Sequence, residues 1–240
     1  MPMAGKGRGL LEIIARIHTD FPTKFGVPRQ SGLVDSLQGR IVFEAPYRNP
    51  DAFRGLEGFT HIWLIWQFSE AVRTGWTATV RPPRLGGNTR MGVFATRSPF
   101  RPNPIGLSCV RLEKIELSTP HGPVLHVAGA DLMDGSPIYD IQPYLPFTDS
   151  HPEAVGGFAD PAYEYSLEVD FPQELLDRFP EESRQALVDV LRQDPRPSYQ
   201  RDPDRVYGVP FHGMDVRFTV KEGVLTVHDV VPYSVRHNDV

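Results

Sequence analysis

Residues 56–69 read LEGFTHIWLIWQFS. Aromatic and β-branched side chains crowd this stretch, and such a mixture suits a packed, pleated surface better than a solvent-facing helix. The apolar run has no clean alternation, which predicts a central strand buried on both faces. His61 is the ionisable residue of its interior, and taken alone it reads as a hydrogen-bonded packing residue. Short β-prone segments lie on either side. Upstream, Arg40–Glu44 reads as a strand. Leu10, Ile13, Ile14 and Ile17 follow helical spacing, but their β-branched content also permits a strand, which is the preferred reading. Downstream, Thr77–Arg81, Leu107–Leu117 and Val124–Ala128 read as strands, the second on the alternation of Val110 and Leu112 with Arg111 and Glu113. So many short strands avoid bare edges most economically by closing into a barrel. Strands do not alternate regularly with helices, and no G-x-G-x-x-G follows a strand, which argues against a Rossmann-type nucleotide domain.

The next stretch outward, Arg90–Ser108, reads RMGVFATRSPFRPNPIGLS. Met91–Ala95 reads as a buried strand and Ile105–Leu107 opens another. Between them Pro99, Pro102 and Pro104 fix φ and hold their predecessors extended. A stiff loop presenting Arg97, Arg101 and Asn103 loses little entropy on gripping an anion or a nucleotide. A proline-braced connection whose arginines merely face water remains the alternative on spacing alone. Charge distribution favours anion contact. The chain of 240 residues has 30 acidic side chains and a net charge of −5, yet residues 71–112 hold none and carry Arg73, Arg81, Arg84, Arg90, Arg97, Arg101 and Arg111. An all-arginine block suits planar, bidentate contacts to phosphate or carboxylate.

Composition bounds the rest. The length allows one large domain, or one domain with a smaller companion. No stretch has the apolar length of a membrane span, and MPMAGKGRG lacks an apolar signal core, so a soluble cytoplasmic protein is expected. Cys109 is the single cysteine; it excludes an internal disulfide and reads as a small buried thiol. The histidines are dispersed without metal-ligand spacing, so no metal site is expected.

Asp131–Pro146, DLMDGSPIYDIQPYLP, carries three aspartates interleaved with apolar residues. Asp134-Gly135 is turn chemistry, and Asp131 reads as a cap for backbone donors. Turn chemistry does not account for Asp140 among Ile138, Tyr139 and Ile141, and a binding carboxylate or general base remains open. Residues 147–163 form a loop and mark a boundary between a first domain, 9–160, and a second, 161–240. Beyond it are a strand at Tyr165–Phe171, helices at Gln173–Arg178 and Glu181–Gln193 with an apolar stripe of Ala186, Leu187, Val190 and Leu191, and a closing β-meander over 216–231. Before the meander, DPRPSY presents Arg196 and Tyr199 between prolines, expected to face the same partner as the first arginine loop.

At RPPRLGGN, GVFATRSPFRPNPIGLS, DLMDGSPIYDIQPYLP and QDPRPSY the sequence resembles the TsaA-like family of bacterial tRNA (adenine37-N6)-methyltransferases, from about Ile13 to the C-terminal meander. The resemblance implies a mainly β fold: a closed, non-Rossmann β-barrel binding S-adenosylmethionine, with a smaller α+β C-terminal domain, assembled as a homodimer. The implied reaction methylates N6 of N6-threonylcarbamoyladenosine (t6A) at position 37 of threonine tRNA, giving m6t6A. The implied cofactor contacts fall on Pro28, Arg29, Gln30, His61, Ile62, a motif arginine that is Arg90 or Arg97, Leu107, and Asp131, Leu132, Met133 and Asp134. A general base would assist attack by N6, with Asp140 or Asp134 as candidates. Arg84, Arg101, Asn103, Arg196 and Tyr199 are the candidate tRNA contacts. The competing class is a non-catalytic RNA-binding or cofactor-sensing barrel.

Overall fold

The structure, a computed structural model, describes residues 11–82, 85, 89–162, 166–197 and 202–234. In chain order the strands of the first unit are β1 (Ala15–His18), β2 (Gln38–Phe43), β3 (His61–Gln67), a two-residue ribbon of β4 (Thr79–Val80) and β5 (Met91–Gly92), then β6 (Ile105–Glu116), β7 (Val124–Ala128) and β8 (Pro137–Pro143). Six of them close a barrel in the order β1-β2-β7-β6-β3-β8, as the strand count predicts. Every adjacent pair in it is antiparallel.

Alternation along β3 explains why LEGFTHIWLIWQFS is so apolar. Ile62, Leu64 and Trp66 point into the barrel and are buried with Ile17, Ile41, Val110, Leu125 and Ile138. Trp63 and Ile65 face outward and are only half-buried, which corrects the expectation of burial on both faces. A barrel strand has a single inside, and the outer face here keeps partial cover from its own neighbours. His61 is exposed at the start of the strand rather than packed in the core. Trp66 also dictates a glycine. A Cβ on Gly106 of β6 would lie 2.3 Å from its indole, so only glycine lets that strand pass.

The segment MGVFA is less regular than its residues suggest. β5 ends at Gly92 and Val93–Ala95 turns as a short 3-10 helix. Val93 alone of that trio is buried, while Phe94 turns out to solvent. The Thr77–Arg81 strand likewise shortens to β4. The whole excursion 68–104 is pinned at its root by the Phe68 amide, which donates to the Pro104 carbonyl at 2.8 Å.

After a short helix α1 (Pro146–Asp149), the second unit holds β9 (Glu168–Asp170), helices α2 (Gln173–Leu176) and α3 (Glu181–Arg192), and strands β10 (Tyr207–Phe211), β11 (Met214–Lys221) and β12 (Val224–Pro232). Its sheet runs β10-β11-β12-β9, with β9 parallel to β12. The stripe Ala186, Leu187, Val190 and Leu191 of α3 is buried as its periodicity predicts. Phe21, Val34 and Leu37, from the connection between β1 and β2, are buried in this second core rather than in the barrel. Gly26 permits that docking: its φ is +85°, and a Cβ there would sit 2.6 Å from Val209.

Candidate active site at the barrel rim

β7 ends at Ala128, opposite Arg111, so the preceding residues of β6 lack a strand on that side. The loop 28–32 takes that place. The Cys109 amide donates to Ser31 Oγ at 3.2 Å, and the Gly32 amide donates to the Gly129 carbonyl at 2.9 Å. The chain leaving β7 then carries Asp131 across the barrel mouth. Ser108, buried on the inner face of β6, accepts from Trp66 Nε1 at 2.9 Å and donates to Asp131 Oδ1 at 2.5 Å. Asp131 is largely buried, and desolvation pushes its carboxyl up to about 6. The Ser108 hydroxyl, backbone amides including that of Ser31, and the Arg97 guanidinium act against that rise. Arg97 in turn donates to Gln30 Oε1.

Gln30, Arg97 and Asp131, drawn from three distant segments, are thus brought together at one rim. Arg97, not Arg90, is the motif arginine that joins them. Arg90 is exposed at the end of the ribbon. Ile62 and Leu132 are fully buried in the barrel core, which takes both side chains out of reach of a ligand. Met133 is half-buried. Pro28 and Arg29 turn the other way, lining a cleft of about 240 Å³ against Val190, Asp194 and Arg196.

The outside of the barrel next to this rim is organised in rows. Leu107, Ile65 and Asp140 are in register across β6, β3 and β8, as are Cys109, Trp63 and Gln142. Leu107 is 53% exposed. The Asp140 carboxylate is exposed and accepts from the Ile141 amide at 2.9 Å and Gln142 Nε2 at 2.8 Å. His61 begins the next row opposite Arg111, with the Tyr144 ring 6.2 Å away. Trp63 Nε1 donates to Asp149 Oδ2 at 2.9 Å; the Leu145 amide, seconded by this indole, holds that carboxyl below the usual range. Burial and the Asp149 charge push the Cys109 thiol up, which disfavours a thiolate nucleophile.

Other candidates lie elsewhere. The Asp134 carboxylate is committed to the turn beside β1, 3.1 Å from His18 Nδ1 and accepting from the Thr19 amide at 3.2 Å. Arg101 donates to the Thr96 carbonyl at 3.0 Å, bracing its own loop, and Asn103 is exposed. Arg196 departs from the expectation of a charge offered to a polyanion: its side chain is 11% exposed and bonded through Nε to Asp194 Oδ1 at 2.7 Å and through Nη2 to Oδ2 at 2.8 Å. Arg84 and Tyr199 lie outside the described residues. Sequence reasoning missed Ser108, Ser31 and Trp66. Ser108 had a usable signal, a hydroxyl at an inward position between Gly106 and Val110. Among the described residues no group of His, Cys, Asp and Glu is arranged to hold a metal ion.

A largely buried carboxylate, a guanidinium and a carboxamide meet where a closed antiparallel barrel opens, which places the chain among β-barrel proteins with a polar, charged rim. Known proteins narrow that class. Residues 16–150 match the tRNA-methyltransferase O N-terminal domain and residues 164–233 the TrmO C-terminal domain, so the chain belongs to the TrmO family. The chain is similar to the tRNA (adenine(37)-N6)-methyltransferase of Escherichia coli K12, 43% identical over 230 residues, which cover 92% of this chain and 97% of that protein. With the Eikenella corrodens protein of the same name the identity is 46% over 174 residues, covering 72% of this chain and 97% of the relative. A crystal structure of TrmO from Pseudomonas aeruginosa superposes with a TM-score of 0.75 at 31% identity, covering 93% of this chain and 99% of that one.

Proposed function

We propose that the protein transfers a methyl group from S-adenosylmethionine to N6 of adenosine 37 in tRNA, and that its substrate is t6A in threonine tRNA, converted to m6t6A. The observation that carries this reading is the joining of Gln30, Arg97, Asp131 and Ser108 at the barrel rim, beside an excursion that from residue 71 onward carries arginines and no carboxylate. The donor set fits the cofactor. A carboxylate accepts from ribose hydroxyls or an α-ammonium, while a guanidinium and an amide suit the cofactor's own carboxylate. S-Adenosylmethionine supplies, when bound, an electrophilic methyl on a positive sulfonium, so much of the acceleration is positioning.

In this reading Asp131 and Arg97 orient the cofactor's polar ends, with Gln30 and the backbone of Asp131 and Met133 completing the contact. Leu107 and His61 lie on the outer face next to the rim and form the wall facing the base. The N6 of t6A carries a carbonyl substituent and is a weak nucleophile until it loses its proton. Asp140 is the proposed acceptor, in the same row as Leu107 and about 10 Å from it at two strand spacings; Asp134, tied to His18 and Thr19, is the alternative. Arg101 and Asn103 lie on the loop that would approach the tRNA. The proposed assembly is a homodimer, the proposed location the cytoplasm, and the proposed boundary between the two units lies near residue 160; these rest on family resemblance and composition. Among the described residues no helix is long and apolar enough to cross a membrane.

The test is incubation with methyl-labelled cofactor and threonine tRNA, with or without t6A. Label entering the t6A-containing tRNA alone, recovered as m6t6A after nuclease digestion, is the expected result. Binding of both ligands without methyl incorporation would establish the non-catalytic barrel instead.

A further inference from the structure

The excursion 68–104 ends in apolar surface where water ordinarily selects polar side chains. Trp76 is 51% and Phe94 73% exposed, and neither belongs to a hydrophobic core. Their ring centroids lie 5.9 Å apart with planes inclined by 35°. Phe100, also exposed, carries the Arg73 guanidinium 4.1 Å over its ring. Between Trp76 and Phe100 opens a cleft of about 300 Å³, bounded also by Val72, Arg101 and Pro104. That volume is at the lower end of small-ligand sites, roughly 300–1,000 Å³.

The rings are held in place. The Val93 amide donates to the Ala78 carbonyl at 2.9 Å, joining the segments that carry Phe94 and Trp76, and Val93 itself is buried. Thr79 pairs with Gly92 and Val80 with Met91, so Arg81 and Arg90 leave the ribbon side by side at its far end. Both are exposed, and no acidic residue occurs anywhere in 71–112. A protein partner covering the rings would have to bring its own carboxylates to Arg73, Arg81 and Arg90, since this segment provides none. An RNA strand satisfies both halves at once, with phosphates for the arginines and π-faces for the rings.

We propose that Trp76 and Phe94 form a stacking platform for an unpaired base of the RNA other than the one that is methylated, with Arg73, Arg81 and Arg90 on the flanking phosphates. The assignment rests on the proposed function for the nature of the partner and adds how it is recognised. Stacking is indifferent to base identity but requires a base that is free of its helix, so the platform selects loop over stem.

The full-length chain is titrated with an anticodon stem-loop RNA, and with the same RNA carrying an abasic residue at each loop position in turn. Trp76→Ala and Phe94→Ala are expected to raise the Kd of the intact RNA roughly 5- to 100-fold, and Trp76→Phe to restore most of the loss. At one loop position the abasic RNA should bind wild type and Trp76→Ala equally weakly. RNA binding should quench wild-type tryptophan fluorescence, and Trp76→Phe should abolish that quenching. Unchanged far-ultraviolet circular dichroism and melting temperature in both variants control for folding. A Kd within two-fold of wild type in both alanine variants would overturn the platform, as would a loss of dimer in sedimentation with RNA affinity per protomer intact. Wild-type methylation of tRNA with an unchanged KM in Trp76→Ala rejects the platform and keeps the enzyme. RNA binding that depends on Trp76 without any methyl transfer does the reverse.

Discussion

Replacing Asp131 by asparagine tests whether the rim carboxylate is held at a cost to the fold. In the folded protein this carboxyl titrates at about 6 against an ordinary 3.8. At about 1.4 kcal/mol for each tenfold change in proton affinity, keeping the group ionised there costs about 3 kcal/mol. Burial favours the protonated form. The group therefore contributes its stabilisation in full below about pH 4 and loses it as pH rises through about 6. Asparagine keeps the shape and an oxygen that accepts the Ser108 hydroxyl, while removing the charge; it also forfeits the attraction to Arg97, which offsets part of the gain. Asp131→Asn should thus be more stable than the parent at about pH 8, by roughly 1–3 kcal/mol, and equal to it near pH 4. Urea unfolding followed by the barrel tryptophans Trp63 and Trp66 reads this as a midpoint raised by about 0.5–1 M at the higher pH. The same variant should bind S-adenosylmethionine more weakly. A variant less stable than the parent at about pH 8, or a difference independent of pH, would refute the placement of a desolvated carboxylate at the rim.

Arg97→Ala should weaken S-adenosylmethionine binding at least about ten-fold by calorimetry, since it removes the guanidinium facing Gln30 and Asp131; unchanged affinity would remove Arg97 from the cofactor site. Asp140→Asn should slow single-turnover methyl transfer by about 10²-fold or more while leaving cofactor and tRNA affinities alone, and a wild-type rate would end its assignment as proton acceptor. Gly106→Ala should lower stability by about 1–3 kcal/mol, because the added methyl meets the Trp66 indole inside a packed barrel. A melting temperature equal to that of the parent would show that the ring is free to move aside.

What was legible in the fold follows from how local the information is. Barrel closure could be anticipated because each short strand announces itself by composition, and edges are costly for all of them alike. The buried stripe of α3 was legible for the same reason, as a period carried within a dozen residues. The destination of Phe21, Val34 and Leu37 was not, since nothing near them in sequence says that their core lies with Val209 and Leu187, well over a hundred residues away. MGVFA failed differently. Its propensity is that of a strand, but with only Val93 buried, two residues of ribbon are all that packing supports.

For the site, sequence showed where charge was missing more clearly than where chemistry gathers. The acid-free block 71–112 is visible by counting, and the structure gives it an exposed aromatic pair that counting passes over. Gln30, Arg97 and Asp131 carried no joint signal of their own and were grouped only through family resemblance, because their meeting depends on where β7 stops and which loop fills the gap. Once the strands are in register, one serine becomes informative. An inward hydroxyl at position 108 of an otherwise apolar barrel needs partners on both sides, and finding Trp66 on one side obliges an acceptor on the other. Asp131 is that acceptor. The hydrogen bond that keeps the barrel interior satisfied therefore also fixes the carboxylate on which the proposed cofactor contact depends.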